Sequence, residues 1–284
     1  MMFTHPAVVG VAVVGDNLLV CADGPLTVPP KVEMGDRTYQ TEVVQTGRFV
    51  VAGQGGSPAR AAPYRAWQRP LQAGYSLGTR RTVGTAGLIV TPTTGRVRCL
   101  LLTAAHLLMW RGRRYETIVT QPAGPDGGIP GRDTIGRVYQ VSRLQSTKAN
   151  SLDAALIVPK PHLEFDLTYP GLGPLRGHCR QLNEGWHLYK VGRSTGSLTG
   201  QILSTCWSGY VDYPTGRCRF TRQVLIHEPG TAVSLPGDSG AVWVTPSGYA
   251  AALNFASTDQ SGQFSIATPI NRVLDAFNVQ VVVP

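Results

Sequence analysis

Apolar runs of four to eight residues recur along the chain, and clusters of Gly, Pro, Asn, Asp or Ser close each one. Runs of that length between turn clusters predict short strands. Three come early: "AVVGVAVV" (7–14), "LLVC" (18–21) and "RFVVA" (48–52). The stretch between the second and third alternates polar and apolar residues, so residues up to about 50 predict a small β-rich N-terminal unit. The segment "GQGGSPARAAPYRA" (53–66) is poor in bulky apolar residues and predicts a linker or exposed loop.

From about residue 70 the runs become regular. They are "GTAGLIVTP", "RVRCLLLTAA", "YETIVTQP", "IGRVYQV", "LDAALIVP", "GWHLYKVG", "GQILST", "RQVLIHEP", "GAVWVTPSG", "YAAALNFAS" and "QFSIATPI". So many short strands with turns between them predict an antiparallel sandwich or a pair of barrels. Only "INRVLDAFN" (270–278) carries helical spacing, with Ile270, Val273, Leu274 and Phe277 on one face.

Composition narrows the class. Hydrophobic residues make up 42% of the 284 and charged residues 15%, which excludes a disordered chain. The 33 glycines and 21 prolines have no period, which excludes collagen and suits a turn-rich β fold. No run of about 18 apolar residues is present, so no membrane-spanning helix is expected. The first residues lack a basic region and a cleavage site, and read as a strand rather than a secretory leader. Cytoplasm is the simplest compartment. The formal charge of +9 raises the question of a polyanionic partner. Its basic residues are dispersed, however, and only "RAWQR" (65–69) and "WRGRRYE" (110–116) concentrate them. Nucleic-acid binding is therefore a minor alternative, with steep salt dependence as its test. The five cysteines form no C-x-x-C pair for a metal. Cys99 reads as a core residue. Cys206 and Cys218 flank a hairpin-like stretch, which leaves a bridge between them open.

The chemistry concentrates in "AVSLPGDSGAVWV" (232–244). A bend, Pro236-Gly237-Asp238-Ser239-Gly240, precedes a buried run. A serine hydroxyl needs an adjacent base to attack, and backbone N–H groups aimed at the oxyanion it creates. Gly237 and Ser239 can offer those amides from one bend. A plain surface turn would use the same residue types. Two further segments favour chemistry. His106 ends the run in "LLTAAH" (101–106), where histidine suits a general base. Asp153 opens "LDAALI" (152–157), and a carboxylate entering a core needs a partner such as an imidazole N–H.

"LLTAAH", "LDAALI" and "PGDSGAVW", in the order His106, Asp153, Ser239, resemble the signature segments of chymotrypsin-like (trypsin-fold) serine proteases. Subtilisin-like and α/β-hydrolase enzymes use other orders. "RPLQAGYSLGTRRTVGTAGLIV" (69–90), "YKVGRSTGSLTGQI" (189–202) and segments within 251–277 are also similar to a bacterial trypsin-like group related to the plant narrow-leaf proteases, whose members carry a β-rich N-terminal extension. The resemblance implies a mostly β fold of two six-stranded antiparallel barrels, a C-terminal helix and the extension. The implied boundaries are 1–66 for extension and linker and 67–284 for the protease domain, with barrels near 70–165 and 180–270. It assigns Ser239 as nucleophile, His106 as base, Asp153 as its orienter, and the Gly237 and Ser239 amides as oxyanion hole, with no cofactor or metal. Leu107 and Leu235 stand where secreted relatives carry disulfide cysteines, which agrees with an intracellular enzyme.

The resemblance also places Val233 at the floor of the pocket for the residue before the scissile bond, and Asn254, Phe255, Ala256 and Ser257 along its wall. With no aspartate at the floor, a small or medium apolar side chain is expected there. No new N-terminal amine is expected to reach Asp238, and Arg193 in "VGRSTG" is one conceivable partner. The leading function is thus a serine endopeptidase acting on protein or peptide substrates. The alternative is a catalytically idle protease fold used as a protein-binding module. The N-terminal extension has three open roles, docking a partner, gating the active site or self-association, and regulation by a partner protein or by ordering of loops such as 121–133 is also expected.

Overall fold

The computed structural model describes residues 5–51, 62–95, 99–110, 114–115, 117–259 and 261–284. Most of the linker expected at 53–66, and most of the basic segment 110–116, lie outside these residues.

Two closed barrels carry the fold, as the resemblance implies. In the first, Ser76–Gly78 pairs with Val83–Thr85, and the chain bends through Ala86-Gly87-Leu88 into Ile89–Pro92. From there the order is Leu100–Thr103, Ala155–Pro159, Thr134–Val141 and Ile118–Thr120. Thr120 then pairs with Gly78 and closes the ring. Counting the bent stretch as one strand makes six. In the second barrel His187–Gly192, Val242–Val244, Tyr249–Thr258, Phe264–Pro269, Gly216–His227 and Gly196–Tyr213 pair in that order, all antiparallel. His187–Gly192 also pairs with Gly196–Tyr213, closing six strands. The interior holds Leu188, Ile202, Val224, Ile226 and Trp243, all buried.

Gly196–Tyr213 is 18 residues long, where the sequence pattern marked only "GQILST" as a strand. Register shifts near Ser204, Trp207 and Gly209 explain the length. A bulge bends a strand and re-aims it, so the near half closes the barrel and the far half leaves it. That far half pairs with Val8–Val14 through Gly10↔Gly209 and Val11↔Ser208. Asn17–Ala22, Arg37–Gln45 and Lys31–Met34 follow outward in the same sheet. Fully buried Trp207, edge-on to Phe49 at 5.1 Å, fills the junction.

The C-terminal helix spans Ile270–Phe277 and buries the four apolar residues of the expected face. A fully buried side chain of this size contributes about 1.5–3 kcal/mol. Asn278, left-handed at φ 54°, ends the helix, and Val279–Val281 then joins the Ile89–Pro92 edge of the first barrel. The helix and this strand share one apolar cluster with both barrels. Among the described residues no helix is long and apolar enough to cross a membrane. All five cysteines are free thiols. In the hairpin register Cys218 faces Val211, so Cys206 is several residues out of reach of a bridge.

Candidate active site

Strand register brings the first two candidate residues together. Leu100–Thr103 and Ala155–Pro159 are antiparallel with Thr103 opposite Ala155. One chain leaves at the same end where the other enters. His106, three residues past Thr103 on a short 3-10 turn, therefore meets Asp153, two residues before Ala155. His106 Nδ1 lies 2.6 Å from Asp153 Oδ2, and the His106 backbone N–H donates to Oδ1 at 3.0 Å. A carboxylate only accepts, so Nδ1 carries the proton and Nε2 keeps its lone pair for a donor.

A third donor comes from the far end of the long hairpin. Tyr213 Oη donates to Asp153 Oδ2 at 2.8 Å, and its ring stands edge-on to the His106 imidazole. Burial alone would raise the Asp153 carboxyl. The His106 charge, the imidazole and phenol hydrogen bonds and the backbone N–H outweigh it and hold the carboxyl below its ordinary value. Tyr213 moves the other way. Burial, with the Asp153 charge beside it, pushes the phenol well above 10, so it stays a donor.

Ser239 sits on the bend that leads into Val242–Val244, across from this pair. Two contacts from Thr85 in the first barrel clamp the bend. Its N–H donates to the Ser239 carbonyl and its Oγ1 to the Gly237 carbonyl, each at 2.8 Å. Gly237 has φ 105°, and a Cβ there would lie 2.5 Å from Ser194 Oγ, so only glycine fits. Among the described residues no acceptor takes the Gly237 or Ser239 N–H. Two amides from one bend are thus free for an oxyanion. Ser239 Oγ donates to the Phe255 carbonyl at 3.1 Å, and His106 Nε2 is buried without a partner among the described residues. The imidazole is therefore oriented, while the Ser239 hydroxyl is turned onto a backbone carbonyl. Hydrogen bonds between a nucleophile and its base often tighten only with substrate present.

The partner of Asp238 differs from the one considered from sequence. Lys190 Nζ stands 3.1 Å from Asp238 Oδ2, both side chains fully buried. The N–H groups of Ser194, Thr195 and Leu235 also donate to the carboxylate at 2.8, 3.2 and 3.0 Å. Burial draws the Lys190 ammonium below its ordinary value, and Asp238 partly opposes it. Arg193 points elsewhere. It grips Asp126, on the loop 121–133, through Nε at 2.9 Å and through Nη2. Its Cδ would lie 3.0 Å from a Cβ at Gly237, and its Nη1 donates to Ser194 Oγ at 3.0 Å. Gly192 lets the Lys190–Asp238 pair close up, because a Cβ there would sit 2.3 Å from Asp238 Oδ1. The loop 121–133 is held down at several points, including Gly124 N–H to Thr79 O and Ser76 Oγ to Asp126.

Of the expected pocket residues, Val233 is fully buried in the second-barrel interior beside Trp243. The Asn254 side chain is committed beneath the bend. Its Oδ1 accepts from Trp243 Nε1 and Ser265 Oγ, and its Nδ2 donates to Ser234 Oγ and the Asp238 carbonyl. Phe255 supplies the carbonyl that holds Ser239, with its ring 4.8 Å from Phe220. Ala256 and Ser257 follow on the same strand, buried. Sequence reasoning missed Tyr213, Ser234, Ser265, Asp126 and Lys190. For Lys190 a signal existed: in "HLYKVG" it shares a strand face with Leu188, which puts a lysine inward.

No protein-family model matches the chain, and no curated protein matches it. Solved structures do. A glutamic acid-specific serine protease whose substrate binding uses a histidine triad is 20% identical; the match covers 75% of this chain and all of that one, with a TM-score of 0.54. Protease A of Thermobifida fusca matches at 19% identity over 75% of this chain and all of its own, with a TM-score of 0.54. A Nocardiopsis protease matches at 18%, over 74% and 99%, with a TM-score of 0.52. The chain has the chymotrypsin-like, double-barrel fold of these bacterial serine proteases.

Proposed function

We propose that this chain is a serine endopeptidase that cleaves protein or peptide substrates through an acyl-enzyme. Ser239 Oγ attacks the scissile carbonyl while its proton passes to His106 Nε2. Asp153 keeps the imidazole in the right tautomer and stabilises the imidazolium. The Gly237 and Ser239 amides hold the oxyanion, and removal of one such donor costs about 10²–10³ in kcat. The tetrahedral species collapses to the acyl-serine as His106 protonates the leaving amine. Water, activated by the same histidine, then releases the acid and the free hydroxyl.

The observation that carries this reading is the His106–Asp153 pair with Nε2 unpartnered among the described residues, together with a bend that carries Ser239 and two unpartnered amides and is clamped by Thr85 of the same barrel as His106. The Lys190 ammonium supports it by filling the charge requirement of Asp238 from within the chain, which leaves the bend no need of a new N-terminus. None of the residues that the resemblance places at the pocket is a carboxylate, and Val233 and Asn254 are taken up by the core and the bend, which argues for a small or medium apolar residue before the scissile bond rather than Arg or Lys. Selectivity should be loose, since one methylene in an apolar pocket is worth about 1–3 kcal/mol. The test is hydrolysis of unfolded protein substrates with acyl-enzyme trapping by intact-mass spectrometry. A mass adduct on Ser239, lost in Ser239→Ala, is expected. A folded chain that gives no products and no adduct would favour the idle, protein-binding alternative.

A further inference from the structure

The strand Phe49–Val51 belongs to the N-terminal region, yet both of its neighbours lead directly to the triad. On one side it pairs antiparallel with Tyr249–Thr258, in the register Val51↔Ala256, Val50↔Ser257 and Phe49↔Thr258. Next to Ala256 is Phe255, whose carbonyl accepts from Ser239 Oγ. On the other side Val50 pairs with Asp212, next to Tyr213, whose hydroxyl donates to Asp153.

The placement on the edge matters. Ala256 and Ser257 already pair with Ile266 and Ser265 of Phe264–Pro269 on their inner side. Their outer side is the sheet edge beside Ser239. A peptide that offers its carbonyl to Ser239 must satisfy its own backbone, and strand addition to this edge is how it would do so. Phe49–Val51 already fills that edge. Its direction also fits, because the chain runs from Thr258 toward Ala256 and so toward Ser239. The strand is firmly held. Phe49 is buried against Trp207, the Asp259 N–H donates to the Arg48 carbonyl at 2.9 Å, and Arg48 pairs with Asp23 at 2.7 Å. In this arrangement Ser239 is fully buried and His106 Nε2 has no partner.

We infer that Phe49–Val51 is an internal occupant of the peptide-binding edge, and that the site takes extended segments with apolar, β-branched residues like its own, which enter by displacing it. The inference rests on the serine protease reading and adds to it the substrate class and a built-in restraint. The N-terminal region then acts on catalysis through three residues of strand.

Hydrogen exchange on the full chain tests this without a substitution. The probe is the tetrapeptide boronic acid acetyl-Phe-Val-Val-boroalanine, which forms a covalent adduct with a triad serine and needs the edge for its backbone. Binding is followed by intact mass. The expected result is an adduct on Ser239 together with loss of protection at the Phe49–Val51 amides and no loss at Val8–Val14. An adduct that leaves the Phe49–Val51 amides protected overturns the inference and leaves the protease reading standing. Absence of any adduct, with a small fluorophosphonate also failing to label, overturns both. A second arm uses Val50→Pro, which removes one ladder N–H at a half-buried position. Its kcat/KM for an extended peptide should rise at least ten-fold over the parent chain, with near-ultraviolet circular dichroism unchanged. An equal or lower value in a folded variant counts against the inference.

Discussion

Replacing Lys190 with methionine probes how the bend that carries Ser239 is held. The substitution keeps most of the volume and removes only the ammonium. At 3.1 Å and an effective dielectric near 20, the Lys190–Asp238 attraction is about 5 kcal/mol. The desolvation of two fully buried charges offsets much of that, so the net worth of the pair is far smaller. Removing one partner is another matter, because it leaves the Asp238 carboxylate buried and uncompensated, which costs about 3–5 kcal/mol. Three backbone N–H groups still solvate the carboxylate, which points to the lower half of that range. The double variant Lys190→Met/Asp238→Asn removes both charges and should recover part of the loss, so the two single effects should not add. The assay is urea unfolding followed by tryptophan fluorescence, with the rate of fluorophosphonate labelling measured on the folded protein. Labelling of Lys190→Met should slow, because Asp238 neighbours both amides proposed to hold the oxyanion. A single variant that loses less than about 1 kcal/mol and labels at the parent rate would refute the assignment of Lys190 as the positioning residue of the bend.

Three other outcomes follow from the same geometry. Asp153→Asn should leave the fold intact and lower kcat by about 10⁴-fold, read by burst kinetics, because an amide at this position favours the wrong imidazole tautomer. The Asp153 carboxyl lies below its ordinary value of 3.8, so its stabilisation is complete above that value and is lost as pH falls through the lower folded one. Melting temperatures measured down the acid limb should therefore drop in the parent chain, and the drop should be shallower in Asp153→Asn. Tyr213→Phe removes a hydrogen bond to that carboxylate, worth about 1.5–3 kcal/mol, and should move the acid limb to higher pH while proteolytic activity persists. Asp126→Asn strips the charge partner from buried Arg193 and should destabilise by about 3–5 kcal/mol in thermal or urea unfolding.

The local features of this molecule were legible from its sequence and the nonlocal ones were not. Strand and turn periodicity marked an antiparallel β fold and left sandwich and barrel pair open, which the resemblance to chymotrypsin-like proteases resolved; the helix at 270–277 was visible because four apolar residues share one face over two turns. His106, Asp153 and Ser239 stood out because each lies at the end of an apolar run, where a polar residue needs a reason. Lys190 was missed because a lysine is read as solvent-facing until its strand face is known, and Arg193 offered the nearer guess. Tyr213 escaped notice because it reaches Asp153 from the far end of an 18-residue strand, whose length depends on three register shifts. Phe49–Val51 could be read as a strand, but its neighbours, Ala256 and Asp212, are more than 150 residues away. Val279–Val281 likewise gains its meaning only from an edge formed near residue 90.

Labelling by a small fluorophosphonate tests the central claim most directly. The parent chain, Ser239→Ala and His106→Ala would be compared, with the labelled residue identified by peptide mass spectrometry. The account predicts a phosphonylated Ser239 in the parent chain and loss of labelling in both variants. Labelling of another residue, or labelling of Ser239 that His106→Ala leaves unchanged, would contradict an assembled nucleophile and base.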